Sequence, residues 1–187
     1  MDNGASALPI PTHLLCHADD PVSVVRHYVA PIARPGDILA IAESPLAIMQ
    51  GRYRHPKGVT PGWLARLLCR LFNPQASLAS ACGMQALIDI VGRLRVMAAA
   101  VGAVVARLFG QRGIFYRLAG SQARLIDDIT GTMPPYDQFI VLGPEKPQKV
   151  AENVARRTGI AVAVVDVNDL SKRTGEAVVL GASAGVD

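Results

Sequence analysis

Apolar and polar positions divide this chain into runs of two periods. Ile38-Leu39-Ala40-Ile41-Ala42 follows the turn signal Pro35-Gly36-Asp37. It is long enough for a buried strand and too short for a typical helix. Phe139–Leu142, Ile160–Val165 and Val178–Leu180 read the same way, and Ile114–Leu118 is read as a further strand. Helical spacing appears elsewhere. Asp20-Pro21 opens a helix that runs to Ala30, with Asp as cap and Pro at the first helical position. Trp63–Phe72 places Leu64, Leu67, Leu68 and Leu71 three and four apart, and Leu78–Val91 offers Ala81, Leu87, Ile88 and Val91 to a core. Pro147–Thr158 turns Val150 and Val154 inward and carries Arg156 and Arg157 in its last turn, before the stop at Gly159. Residues 1–20 read as an irregular arm, and Glu43 to Arg52 as a polar loop that leaves the first strand.

Val96–Ala106 is the most apolar stretch, flanked by Arg93, Arg95 and Arg107. It falls short of the roughly 20 residues that span a bilayer. A buried Ala-rich helix is expected. The alternative is a helix lying in the plane of a membrane surface, with WLARLLCRLF (residues 63–72) as its companion.

Composition adds bounds. The chain has 187 residues, half of them apolar, which is enough for a sizeable core and argues against disorder. A net charge of +4, carried mostly by Arg, suits an anionic ligand such as a nucleotide or an acidic membrane face. No RNA-binding aromatic motif or zinc-finger spacing is present, so no nucleic-acid partner is expected. Cys16, Cys69 and Cys82 are odd in number and lack metal-ligand spacing. They point to a reducing cytoplasm, and the N-terminus does not resemble a secretory signal.

The candidate chemistry is acidic. Glu43 stands where the Ile38–Ala42 run ends, Asp127-Asp128 follows Leu125-Ile126, and Asp166 follows the Ile160–Val165 run. Carboxylates at separate strand ends are a common way to hold Mg²⁺ or Mn²⁺, which take hard oxygen ligands. Asn168 offers a neutral oxygen, and Lys172 and Arg173 offer cations to phosphate. Blander readings exist: Asp128 with Thr130 and Gly131 as an Asx turn, Asp169 as a helix cap, and the basic stretch Arg52–Lys57 as a solvated loop. There is no Walker A motif, no GxGxxG fingerprint and no Ser or Cys nucleophile with a histidine base.

The order of these features resembles the coenzyme F420-0:L-glutamate ligase (γ-glutamyl ligase) family. HADDPVSVV resembles that family's acidic pair at its first helix, and PGDILAIAESPLAIMQGR its strand and closing Gly-Arg. LIDDITGT stands at the place of its Asp-containing turn. VLGPEKPQKVAENVARRTG and AVAVVDVNDLSKRTGEAVVLGASAGV resemble its later strand, helix and second acidic motif. The resemblance implies an α+β, mixed multi-sheet fold of the F420-0 γ-glutamyl ligase type with a helical middle segment. It implies one domain over 1–187, shortened at its C-terminus, with a helical insert over 60–112, working as a homodimer. The implied activity is GTP-dependent formation of a γ-glutamyl amide from an F420-0-like acid and glutamate, with Mg²⁺ or Mn²⁺. By resemblance the metal ligands are Asp128, or Asp127 in the alternative register, and Asp166. Asn168, Lys172, Arg173, Arg52 and Glu43 are the nucleotide and substrate contacts. Departures are visible: two family lysines are Ser44 and Ile48 here, Gln50 replaces an acid, and Ile129-Thr130 and Asp169-Leu170 replace the family's polar pairs. They leave open a non-catalytic, ligase-like protein that binds an anionic ligand or a membrane surface.

Overall fold

Asp20 caps the first helix as the sequence predicts. Its carboxylate accepts from Ser23 N at 2.9 Å, which caps α1 (Pro21–Val24), and the chain continues through a π turn over Val25–Val29. The computed structural model describes residues 7–74, 76–126, 134–166 and 178–186. Within these, the elements that follow α1 are β1 (Ile38–Ala42), α2 (Glu43–Met49), β2 (Tyr53–Arg54), α3 (Trp63–Leu68), α4 (Ala81–Val91), α5 (Arg93–Leu108), α6 (Ile114–Ala119), β3 (Ile140–Val141), α7 (Pro147–Thr158), β4 (Ala161–Asp166) and β5 (Val178–Ala182). The fold is α+β, and it divides into two compact units, residues 1–49 with 146–187 and residues 50–145.

The first unit is built on a sheet in the order β1-β4-β5, with β1 parallel and β5 antiparallel to the central β4. Ile38 pairs with Ala161 and the register runs without a slip to Ala42 opposite Val165. Val162 and Val164 on one face of β4 pack with Ala151 and Val154 of α7, with Val22, Val25 and Val29, and with Leu46 and Met49 of α2. This is the period-2 strand against period-3.6 helix packing that the sequence pattern calls for. Two contacts lock β5 to α7. Gln148 pairs its side-chain amide with the backbone of Ala182, donating to O at 2.8 Å and accepting from N at 3.0 Å. Gly181 lies so close to the Pro147-Gln148 backbone that a Cβ there would collide with it.

The polar loop expected after Ala42 is a helix instead. Leu46, Ala47, Ile48 and Met49 are all buried in α2, and Pro45 falls in its first turn, where its missing N–H costs nothing.

The second unit is mostly helical. α3, α4, α5 and α6 surround a core that includes Leu64, Leu68, Met84, Leu87, Val96, Ala99 and Phe115. A short ribbon pairs Tyr53 with Val141 and Arg54 with Ile140. The strand expected over Ile114–Leu118 is helix α6. Phe115 and Ala119, four apart, are its buried residues, which is helical and not alternating spacing. The Ala-rich stretch is a helix, longer than expected, but it is not buried throughout. Only Val96, Ala99 and Ala100 of α5 are buried. All three cysteines are free thiols.

Candidate functional site

Two apolar runs of equal character end in carboxylates. Ile38–Ala42 delivers Glu43, and Ala161–Val165 delivers Asp166. Because β1 and β4 are parallel and Ala42 is the register partner of Val165, Glu43 and Asp166 are the next positions at the carboxyl ends of neighbouring strands. Adjacent strands lie about 4.8 Å apart. The crevice beyond the carboxyl ends of parallel strands is where open α/β sheets commonly bind ligands.

Local chemistry suits that place. Glu43 is half-buried as the first residue of α2, and its Oε2 is closed off from solvent. Asp166 is also half-buried, opposite Val178 of β5, and burial pushes its carboxyl above the usual carboxylate range. A bulge between Val164 and Val165 interrupts the β4-β5 ladder just before Asp166. Bulges re-aim the side chains that follow them. Two partly desolvated carboxylates are an oxygen donor pair for a hard divalent cation. Among the described residues there is no group of three or more His, Cys, Asp or Glu gathered around one point.

The other candidates fall elsewhere. Asp127, Asp128, Asn168, Lys172 and Arg173 lie outside the described residues. Arg52 belongs to the second unit, where it works as a staple. Its Nε donates to Gly143 O at 2.6 Å, its Nη2 donates to Gln122 Oε1 at 3.0 Å, and its Nη1 stands 3.8 Å from Glu145. Gln50 reinforces the same turn, exchanging hydrogen bonds with the Glu145 backbone at 2.7 and 3.0 Å. Arg52 therefore fixes the chain around Gly143.

That Glu43 and Asp166 follow paired positions of neighbouring strands is not among the sequence expectations, although its signal is present. ILAIAE and AVAVVD are matched runs of five apolar residues and one acid. If they pair in parallel from their first residues, the two acids fall at the same end of the pair.

A second polar cluster ties down the arm. His13 reaches Asp19 Oδ1 through Nε2 at 3.0 Å and Tyr28 Oη through Nδ1 at 2.8 Å, and Asp19 accepts from Cys16 N at 2.7 Å. That backbone donor first, and His13 second, hold the Asp19 carboxyl below its usual range. The cluster anchors residues 13–19 to the π turn.

No protein-family model matches the chain, and a search of curated proteins finds no match.

Proposed function

We propose that the chain is a divalent-metal-dependent ligase that uses GTP to join a carboxylic acid to the amine of an amino acid, in the manner of γ-glutamyl tail extension. The observation that carries this reading is the placement of Glu43 and Asp166 as the residues that follow the paired positions Ala42 and Val165 of β1 and β4. The substrate class comes from the resemblance of PGDILAIAESPLAIMQGR and the strand-helix-strand segment from Val141 to Asp166 to the γ-glutamyl ligases.

In this reading the substrate carboxylate attacks the γ-phosphorus of GTP. The P–O bond to GDP breaks, and an acyl phosphate forms. The amine of glutamate then attacks the acyl carbon, the amide forms, and phosphate leaves as the amine loses its proton. Glu43 and Asp166 are the residues that would hold a Mg²⁺ or Mn²⁺ ion. Such an ion neutralises charge on a transferring phosphoryl group. The protein's own contribution is positional. Neighbouring parallel strands bring the two residues to one end of the sheet, and burial disfavours the ionised form of Asp166.

The direct test supplies GTP, Mg²⁺ or Mn²⁺, F420-0 and glutamate, and looks for GDP with an extended product. GDP formed only when acid and amine are both present supports the ligase. No nucleotide turnover across a panel of acids and amines overturns it. A readout independent of turnover is the thermal shift with Mn²⁺. Wild type is expected to rise in Tm, whereas Asp166→Asn and Glu43→Gln are not.

A further inference from the structure

Helix α5 has its side chains sorted in reverse. Its inward residues are Val96, Ala99 and Ala100, while Leu94, Met97, Val101, Val104, Val105 and Leu108 are exposed. The spacing of three and four places those six on one stripe about 100° wide. Leu94 is 82% exposed, Val101 65% and Leu108 81%, and Phe109 extends the stripe at 78%. A helix that only covered a core would turn its larger apolar side chains inward. A contiguous exposed apolar stripe of this kind marks an interaction surface. On α3, Trp63 and Leu67 are exposed at a spacing of four, and Leu71 continues the row just beyond it.

Charge identifies the occupant. Between residues 61 and 126 there are eight arginines and a single carboxylate, Asp89. Asp89 is already engaged by Arg54 at 2.6 Å. Arg66 and Arg70 lie beside the α3 row, and Arg93, Arg107 and Arg112 border the α5 stripe. All five are exposed. A second copy docked face to face would set arginine against arginine with no carboxylate to meet them. A bilayer rich in anionic headgroups supplies both the apolar layer and the negative charge. Crossing is excluded for α5 itself: at 16 residues it is about 24 Å long, against about 30 Å of hydrocarbon. Among the described residues no helix is long and apolar enough to cross a membrane. Trp63 is of the amphipathic aromatic type that settles at the headgroup level.

We infer that the exposed stripe of α5, together with the Trp63–Leu67–Leu71 row, lies in the plane of an anionic lipid surface, with the bordering arginines on the headgroups. The inference is independent of the ligase reading, which concerns the other unit.

The full chain is floated with vesicles of phosphatidylcholine alone and with vesicles in which a third of the lipid is phosphatidylglycerol. Binding is expected to the anionic vesicles, weakening as salt screens the headgroups. Trp63 is the sole tryptophan, so its emission should shift to the blue on binding. Val101→Asp with Leu108→Asp should abolish flotation with circular dichroism unchanged. Arg93→Gln with Arg107→Gln should weaken it about thirtyfold, at about fivefold for each charge. Equal binding to both vesicle types, or flotation that survives the aspartates, overturns the inference for α5. Binding with no change in Trp63 emission overturns it for α3. Self-association without lipid that the aspartates abolish assigns the face to a second copy and overturns the inference altogether.

Discussion

Residues 1–49 with 146–187 carry eight cationic side chains and ten carboxylates, whereas residues 50–145 carry eleven and five. The first unit arranges a parallel pair of strands so that their ends present acids. The second surrounds a core with helices and leaves most of its arginines and a row of large apolar side chains outside. The net charge of +4 hides this, because it sums a slightly acidic body and a strongly basic one. Read over each unit, charge is a sharper guide to the class of partner each could attract than the whole-chain value.

The largest effects should come from α5, where the two sides of one helix differ most. Val96 is fully buried and Val101 is 65% exposed. Val96→Asp places a carboxylate among apolar neighbours and should cost about 3–5 kcal/mol or prevent folding. Val101→Asp changes helix propensity little and should stay within about 0.5 kcal/mol. Urea denaturation of both variants checks the contrast. Equal destabilisation would mean that the outer stripe is covered after all.

In the first unit the largest single-atom effect falls on Gly181. A Cβ there meets the backbone of Gln148, which cannot move aside as a flexible side chain would. Gly181→Ala should therefore cost about 1–3 kcal/mol by forcing β5 away from α7. It should also loosen the amide pairing of Gln148 with Ala182, seen as faster hydrogen exchange at Ala182 N–H. Unchanged stability would show that this unit yields where its packing is tightest.

A smaller effect belongs to the ion pair of the basic unit. Arg54 and Asp89 approach to 2.6 Å, but each side chain is more than a third exposed. Asp89 also accepts from Gln85 at 2.7 Å. Asp89→Asn should cost about 1 kcal/mol or less. It also removes the only carboxylate between residues 61 and 126, so it should strengthen flotation with anionic vesicles. Weaker flotation from this variant would argue against an electrostatic role for the face.

The strands were legible because their apolar runs are short and bounded by glycine and proline. The Ile38–Ala42 and Ile160–Val165 runs became β1 and β4, although β1 is an edge strand without a fully buried residue and not the buried strand its apolarity suggests. Their mutual register was not legible, since it depends on pairing across more than a hundred residues. The same holds for the placement of Glu43 and Asp166 at one end of the β1–β4 pair. α2 was missed because Ser44 and Pro45 resemble loop residues, though both are tolerated in a first helical turn. α6 was missed because Ile-Phe-Tyr has strand-like composition, whereas its packing against α5 selects the four-residue spacing of Phe115 and Ala119. The exposure of α5 could not be read from apolarity, because hydropathy says how much a helix would gain from cover and not what covers it.

The smallest expected effect is also the one that bears most directly on the acidic site. Burial raises the Asp166 carboxyl, so the folded protein holds that proton more tightly than the unfolded chain does. Its contribution to stability is present below the usual carboxylate range and is lost as pH rises through the raised folded value. At neutral pH, without metal, Asp166 is a small liability, and Asp166→Asn should raise Tm slightly. The difference should vanish on acidification. Asp19 behaves oppositely in the same unit. The Cys16 N–H and His13 lower its carboxyl, so its contribution is present above the usual range and is lost as pH falls through the depressed value. Asp19→Asn should therefore lower Tm at neutral pH, which gives an internal control for the sign. Mn²⁺ should then invert the order for Asp166. At ten times its dissociation constant a bound ion stabilises the wild type by about 1.4 kcal/mol. The asparagine variant, lacking the anionic donor, should gain almost nothing. Calorimetric scans of the three proteins with and without Mn²⁺ read all of this at once. If Asp166→Asn is less stable than wild type without metal, or gains as much from Mn²⁺, the strand-end carboxylates are part of the packing and not a cation site.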